Sequence, residues 1–379
     1  MPDKGAGFNE LQIRGYADAA LSQAMALENL KIQGFRCLSK VEMELNPARN
    51  LISGPNASGK TSLLEAVFFL SRARSFRTGY LDQLVQDGVA ECVVAGRIRD
   101  VSRETSLGVR CSRSKTEARI AGEPVRSLAE LAQALPVQVI DPDIHKLLEE
   151  GPARRRRFLD WGVFHVEPGF LEIWRRYQRA LRQRNAVLRQ NGDRKATKPW
   201  EIELVEAGNL IQAARARQIK ALQPAAAACA EELLGAPLEL ELRPGWGKDC
   251  GFQEALDKSW LRDRQHQATQ VGPHRADLSV RFCGKAAKNR VSRGQQKMLA
   301  SALLLGQLDV LKNAVASDRI LLVDDPVAEL DREHLERLMA AIQKRNLQLI
   351  ITALAPDIAG LSGDFTRFHV EQGKVSKMV

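Results

Sequence analysis

The 379 residues predict an α/β fold: one nucleotide-type lobe, split in sequence around a mostly helical, basic insertion. Three observations predict it. A Gly-rich turn at residues 54–61 sits between strand-like and helical text. Continuous apolar runs of strand length return near the end, at Ile320–Val323 and residues 349–351, as buried parallel strands require. Between them the text turns helical, and residues 151–200 carry thirteen Lys and Arg against four Asp and Glu in a chain of net charge +10, so the remainder is close to neutral. A charge excess so confined suggests a surface facing a polyanion, with a plain solvated helix face as the competing reading. The expected divisions are 26–150 with 271–379 for the split lobe, 151–270 for the basic lobe, and 1–25 as an extension of unknown role.

Composition narrows the class. With 44% hydrophobic and 27% charged residues, the chain has apolar material for two or three buried cores. Its longest apolar runs are far shorter than a membrane span, so no membrane partner is expected. The polar start MPDKGAGFNE is expected to carry no cleavable signal. Six cysteines (37, 92, 111, 229, 250, 283) show no C-x-x-C spacing, which points to reduced thiols, a cytoplasmic address and no structural zinc.

The elements follow in order. Leu30, Ile32 and then Val41, Met43, Leu45 alternate about a turn near Gly34, giving two strands; residues 50–53 give a third. Leu64, Ala66, Val67, Phe68 and Leu70 make a mostly apolar helix over 61–73, and residues 92–109 alternate as strands. In the basic lobe Phe170, Trp174, Tyr177, Leu181 and Leu188 recur on one helix face, with Arg175, Arg176, Arg179, Arg182 and Arg184 largely off it. A polar loop is expected at 191–199, then a helix carrying Leu204, Leu210, Ile211, Ala214 and Ile219. Leu299, Ala302, Leu303 and Val310 stripe a last long helix before the strand at 320.

Residues 54–61, Gly54-Pro55-Asn56-Ala57-Ser58-Gly59-Lys60-Thr61, match G-x-x-x-x-G-K-[ST] at every fixed position. Glycine permits the tight backbone whose N–H groups surround phosphate oxygens, and the helix start adds its positive dipole end. Lys60 is placed to reach the β and γ phosphates of ATP, and Thr61 to offer its hydroxyl to Mg²⁺. The strand Ile320–Val323 ends in Asp324 and Asp325. Asp324 is expected in the Mg²⁺ shell, at the carboxyl end of a strand next to the phosphate loop; Asp325 is the expected catalytic base, alongside Lys60. Ser292 reads as the N-cap of the helix that precedes this strand.

Taken together, GPNASGKT, SRGQQK, ILLVDD and ELD resemble the ABC-type ATPase heads shared with SMC proteins. More closely, the chain resembles the bacterial RecF family of DNA-repair proteins. LENLKIQGFR, SFRT at 75–78, GPARRRRFLDW, QRALRQRNAVLRQ, VGPHRADL at 271–278 and LLVDDPVAELD carry that likeness in order after Ala26. The resemblance implies an ABC-type head lobe with an inserted helical lobe, ATP and Mg²⁺ as cofactors, and an ATP-dependent homodimer. It implies that Ser292, Gly294 and Gln295 cap ATP held by the partner subunit and that Asp331 lies in a loop crossing the dimer interface. It also implies action at single-strand/double-strand DNA regions in gap repair, RecA loading and the SOS response, with RecR and RecO type proteins as partners.

The chain departs from related transport ATPases at Arg293, where they carry glycine, and at Asp325, where they carry glutamate; the shorter acid suits a slow, switch-like ATPase. A histidine expected after the next strand is replaced by Thr352 or a neighbour. Gln138 and Asp141 are the nearest candidates for a nucleotide-sensing residue. Arg154, Arg155 and Arg156, with Arg175, Arg176, Arg179 and Arg182, are the candidate DNA contacts, to phosphates and without sequence reading. A competing reading pairs some of residues 154–157 with acids between lobes. His274 and Arg275, after a Gly-Pro turn, read as a structural hinge. A transporter ATPase subunit is disfavoured by the basic insertion and Arg293, and a P-loop kinase or GTPase by the absence of an N-K-x-D motif.

Overall fold

The computed structural model describes residues 25–100, 103–314 and 319–378. All of the expected extension except Met25 lies outside the described residues. Contacts divide the chain into two compact units, residues 1–142 with 316–379, and residues 143–315. The first unit opens with β1 (Ala26–Phe35), β2 (Leu38–Glu44), β3 (Arg49–Ser53), α1 (Lys60–Arg72), β4 (Glu91–Asp100), β5 (Arg103–Ser112), β6 (Thr116–Ile120), β7 (Glu123–Pro124), α2 (Ala129–Ala134) and β8 (Val137–Ile140). The second holds α3 (Lys146–Glu149), α4 (Pro152–Val166), α5 (Phe170–Arg189), α6 (Arg194–Leu234), β9 (Leu238–Arg243), α7 (Phe252–His266), β10 (Asp277–Phe282), β11 (Lys285–Ala286), α8 (Ala287–Arg290) and α9 (Arg293–Ala314). The chain then returns to the first unit with β12 (Ile320–Val323), α10 (Arg332–Gln343), β13 (Gln348–Ala353), β14 (Thr366–Glu371) and β15 (Lys374–Lys377).

Two sheets build the first unit. One is antiparallel, in the order β2-β1-β4-β5-β6-β7. The other runs β15-β14-β3-β13-β12-β8 and is parallel from β14 to β8. Helix α1 lies between them, touching β1 and β4 on one side and β13 and β8 on the other. Leu63, Leu64, Ala66, Val67, Phe68, Phe69 and Leu70 are therefore all buried, so the helix is covered on every side. Strand β12 does not adjoin β3; β13 lies between. The β12–α10–β13 crossover sets β13 down beside β12, and β13 then takes the place next to β3.

In the second unit, α5, α6 and α7 close on a core of Tyr177, Ala180, Leu181, Leu204, Ala207, Ile211, Phe252 and Leu256. The loop expected over 191–199 is shorter. Helix α6 already begins at Arg194, where the Asp193 side chain accepts the Ala196 N–H at 2.9 Å, and it runs 41 residues through Pro199 and Pro224. Leu210, expected on its apolar face, is exposed. Helix α9 packs against α6 so closely that a Cβ at Gly306 would lie 2.7 Å from the Ala226 nitrogen, so only glycine fits there. The sequence returned the chain to the nucleotide lobe at residue 271. Residues 271–315 group instead with the helical unit, because β10 pairs with β9 along its length and α9 packs on α6.

Candidate functional site

The turn at 54–59 joins the end of β3 to the start of α1, at the carboxyl edge of the parallel sheet, where ligands of open α/β sheets bind. Its backbone has no room for a side chain at Gly54: φ is +157°, and a Cβ would lie 2.1 Å from the Val370 carbonyl oxygen on β14. Ala57 also has positive φ. Helix α1 starts at Lys60, so its first N–H groups have no partner within the helix. The buried Lys60 ammonium donates to the carbonyls of Gly54 at 2.8 Å and Pro55 at 2.9 Å, using two of its three N–H donors.

Asp324 leaves the end of β12 and reaches α1. The Thr61 hydroxyl stands 3.0 Å from each Asp324 carboxylate oxygen. The fully buried Thr352, on the intervening β13, donates its hydroxyl to Asp324 Oδ1 at 2.7 Å and accepts the Asp325 N–H at 3.0 Å. Burial pushes the Asp324 carboxyl up from its ordinary range; the Thr352 and Thr61 hydrogen bonds work against that, and the neighbouring Asp325 works with it. Asp325 is half-buried in the left-handed backbone region at φ +42°. A hydroxyl and a carboxylate are hard oxygen donors that fit Mg²⁺. Among the described residues no group of three or more His, Cys, Asp or Glu could hold a metal ion. Phosphate oxygens would complete such a shell.

One cluster beside this site went unread in the sequence. Glu65 on α1 is fully buried and accepts Arg36 Nε at 2.9 Å and Nη2 at 2.7 Å, the Ser75 hydroxyl, and Arg77 Nη1 at 3.4 Å. The positive charge of Arg77 also bears on Asp324. The GFR and SFRT stretches thus meet around one carboxylate; a buried Glu inside an apolar helix was the available signal. Of the two sensing candidates, Gln138 is buried within β8 and Asp141 follows its end, beside the end of β12.

Ser292 and Gln295 form a reciprocal cap at the start of α9. Ser292 Oγ accepts the Gln295 N–H at 3.2 Å, and Gln295 Oε1 accepts the Ser292 N–H at 3.0 Å. Beside Gly294 there is open space within 4 Å of where a Cβ would stand. Asp331 caps α10, accepting the His334 N–H at 2.9 Å and its Nδ1–H at 2.6 Å; the backbone N–H bond, first, holds its carboxyl below the usual range.

The arginines separate into two groups. Arg155 is buried, paired with both Asp277 oxygens at 2.7 and 3.1 Å and bonded to the carbonyls of Leu148 and Glu150. Arg156 donates to the Ala276 carbonyl at 2.6 Å, Arg154 pairs with Glu150 at 3.2 Å, and Arg176 pairs with Glu203 and Glu206. Arg184 is fully buried with Glu201 and Asp263. Arg155 and Arg184 help to hold the helical unit together, because a buried guanidinium must be paired. Arg175, Arg179 and Arg182 are exposed, at spacings of four and three along α5, and so share one face.

His274 and Arg275, expected as a hinge at the return to the nucleotide lobe, lie inside the helical unit. His274 Nε2 lies 3.0 Å from the Thr269 carbonyl and Nδ1 lies 2.6 Å from the Tyr177 hydroxyl. A carbonyl only accepts, so Nε2 carries the proton and Nδ1 accepts from tyrosine. Burial, with help from the charges of Arg275, Arg156 and Arg215, pushes His274 down to about 4.

Comparison with known proteins accords with this geometry. The family described as RecF/RecN/SMC N terminal domain matches residues 26–377. The DNA replication and repair protein RecF of Thioalkalivibrio sulfidiphilus is 41% identical over 354 residues, covering 92% of this chain and 98% of the relative. RecF of Pseudomonas aeruginosa strain PAO1 is 41% identical over 361 residues, covering 93% and 98%. Among solved structures, the recombination mediator protein RecF-ATPrS of the RecFOR pathway superposes with a TM-score of 0.83 at 26% identity, covering 94% of this chain and 99% of that one. An SMC head bound to the C-winged helix domain of ScpA, at 15% identity and a TM-score of 0.59, shares the fold. No described helix is long and apolar enough to cross a membrane. A phosphate loop at the carboxyl edge of a parallel sheet, an acid-ended strand reaching it, and near-complete coverage of these relatives lead to one assignment: the chain belongs to the RecF family of DNA replication and repair proteins.

Proposed function

We propose that the chain is an ATP-gated DNA-binding switch of replication and recombinational repair. The observation that carries this reading is the meeting of Thr61 and both Asp324 oxygens beside the phosphate loop. In this reading residues 54–61 bind the triphosphate of ATP. Lys60 gives its remaining N–H to a phosphate oxygen, and Thr61 with Asp324 holds Mg²⁺, which when bound neutralises phosphate charge. Asp325 orients and deprotonates the attacking water.

Two copies close face to face. Each offers its phosphate loop to one nucleotide and its Ser292, Gly294 and Gln295 to the other, with Asp331 at the joint, so a two-fold pair yields two equivalent sites. Gln295 exchanges its cap bond for the nucleotide on closure. Arg175, Arg179 and Arg182 lie along DNA phosphates and supply affinity without sequence preference. RecR and RecO type proteins are the expected associates at gaps, and the cytoplasm is the expected compartment. Light scattering at micromolar concentration with Mg²⁺ tests the switch. A dimer is expected with ATP and DNA, and a monomer with ADP; a monomer under every condition rules the switch out.

A further inference from the structure

Thr352 stands where the sequence reading expected a histidine nearby, and nothing assigns it a role. Its hydroxyl is the only polar atom of its side chain, it is fully buried, and it holds two partners at once: Asp324 Oδ1, to which it donates, and the Asp325 N–H, which it accepts. One hydroxyl proton and one lone pair therefore bind two consecutive acids from a neighbouring strand. The second partner is the backbone of a residue held at φ +42°, a conformation that costs a non-glycine residue energy and persists where surrounding bonds enforce it. On its other side Asp324 meets the Thr61 hydroxyl at 3.0 Å. The result is a continuous chain: α1 through Thr61, β12 through Asp324, β13 through Thr352, and back to Asp325.

We propose that Thr352 is a positioning residue that ties Asp324 and Asp325 into one unit, so that rearrangement of the Thr61–Asp324 contact on nucleotide binding sets the placement of Asp325. This rests on the reading of residues 54–61, Asp324 and Asp325 given above. Asp324 cannot move toward a ligand without moving the hydroxyl that it accepts, and that hydroxyl fixes the backbone from which the Asp325 side chain projects. Strand β13 pairs with β12 in parallel, which brings Thr352 within reach of both acids at the end of that strand.

The test is steady-state ATP turnover and equilibrium binding of a fluorescent ATP analogue by the full chain carrying Thr352→Val, Thr352→Ala or Thr352→Ser, with thermal melting of each. Loss of a buried hydrogen bond that positions a reacting group is expected to lower kcat by roughly ten- to a hundredfold. That loss is expected for Val and for Ala, with KM and analogue affinity within about twofold of wild type, while Ser restores most of kcat. In an Asp325→Asn background, Thr352→Val should add nothing, because the pair acts as a unit. Unchanged kcat in folded Val and Ala variants overturns the proposal. So does a rise in KM alone, or a Ser variant as impaired as Val. Failure of the site reading has a separate signature: Lys60→Ala retaining ATP affinity, or Asp325→Asn retaining turnover, whatever Thr352 does.

Discussion

Asp325 combines a left-handed backbone with a half-buried carboxylate, and this shapes how it is best probed. Asparagine tolerates that backbone as aspartate does, so Asp325→Asn removes the proposed base and leaves the turn in place. ATP binding and the ATP-dependent dimer should persist while turnover falls at least a hundredfold, read by phosphate release against analogue binding. Residues 54–61 were legible in the sequence because their chemistry is contiguous, and strand, turn and helix all announce themselves locally. The role of Thr352 was not, because it depends on strand order, and the chain sequence does not say that β13 would fall between β3 and β12. His274 gives a second residue-scale expectation. It is held down at about 4 in the fold, against about 6.5 when unfolded, so between those values the unfolded chain binds the extra proton. Stability is full above about pH 6.5 and is lost as pH falls toward 4, by about 2 kcal/mol at pH 5. The urea midpoint of wild type should therefore drop more between pH 7 and pH 5 than that of His274→Gln; equal drops would contradict it.

Helix α5 shows how one element divides its arginines. Its sequence gives five between 175 and 184, and periodicity marks them as off the apolar face, but periodicity cannot tell a solvent-facing arginine from one that reaches acids on neighbouring helices. The acids that claim them come from α6 and α7: Glu203 and Glu206 take Arg176, while Glu201 and Asp263 take Arg184. Two different outcomes follow for substitutions on the same helix. Arg184→Ala strands Asp263 and Glu201 in the core and should cost about 3–5 kcal/mol of stability, seen by chemical denaturation. Arg179→Ala with Arg182→Ala should leave stability within about 0.5 kcal/mol. It should weaken DNA binding evenly across sequences and flatten the log K against log salt slope by about 2. An unchanged slope would remove this face from the DNA contact.

At the scale of the molecule, the sequence showed that one lobe is interrupted by another, but it closed the interruption too early. Residues 271–315 alternate and stripe like the nucleotide lobe, and only pairing partners reveal that β10 belongs with β9 and α9 with α6. The proposed pairing of two copies invites a whole-molecule experiment. Ser292→Arg puts a bulky cation at the start of α9, so closure should be blocked by clash while monomer ATP affinity stays within about twofold; light scattering and analogue binding on one sample separate the two, and a normal dimer would dismiss the proposed closure. The strand order also bears on how the protein is made. Among the described residues strand β3, which leads into the 54–59 turn, pairs with β13 and β14 alone, and its contacts span long stretches of chain, as between Asn50 and Leu349, 299 residues apart. Ribosomal synthesis at roughly 5–20 residues per second leaves that strand without neighbours for about 15 to 60 seconds. Helix α5 has been synthesised for roughly the second half of that interval, and the helical unit is complete only once residue 315 has been added. The nascent chain thus acquires its basic helix well before the strand leading into residues 54–59 has its neighbours, and a chain cut short before residue 348 would keep the first and never gain the second.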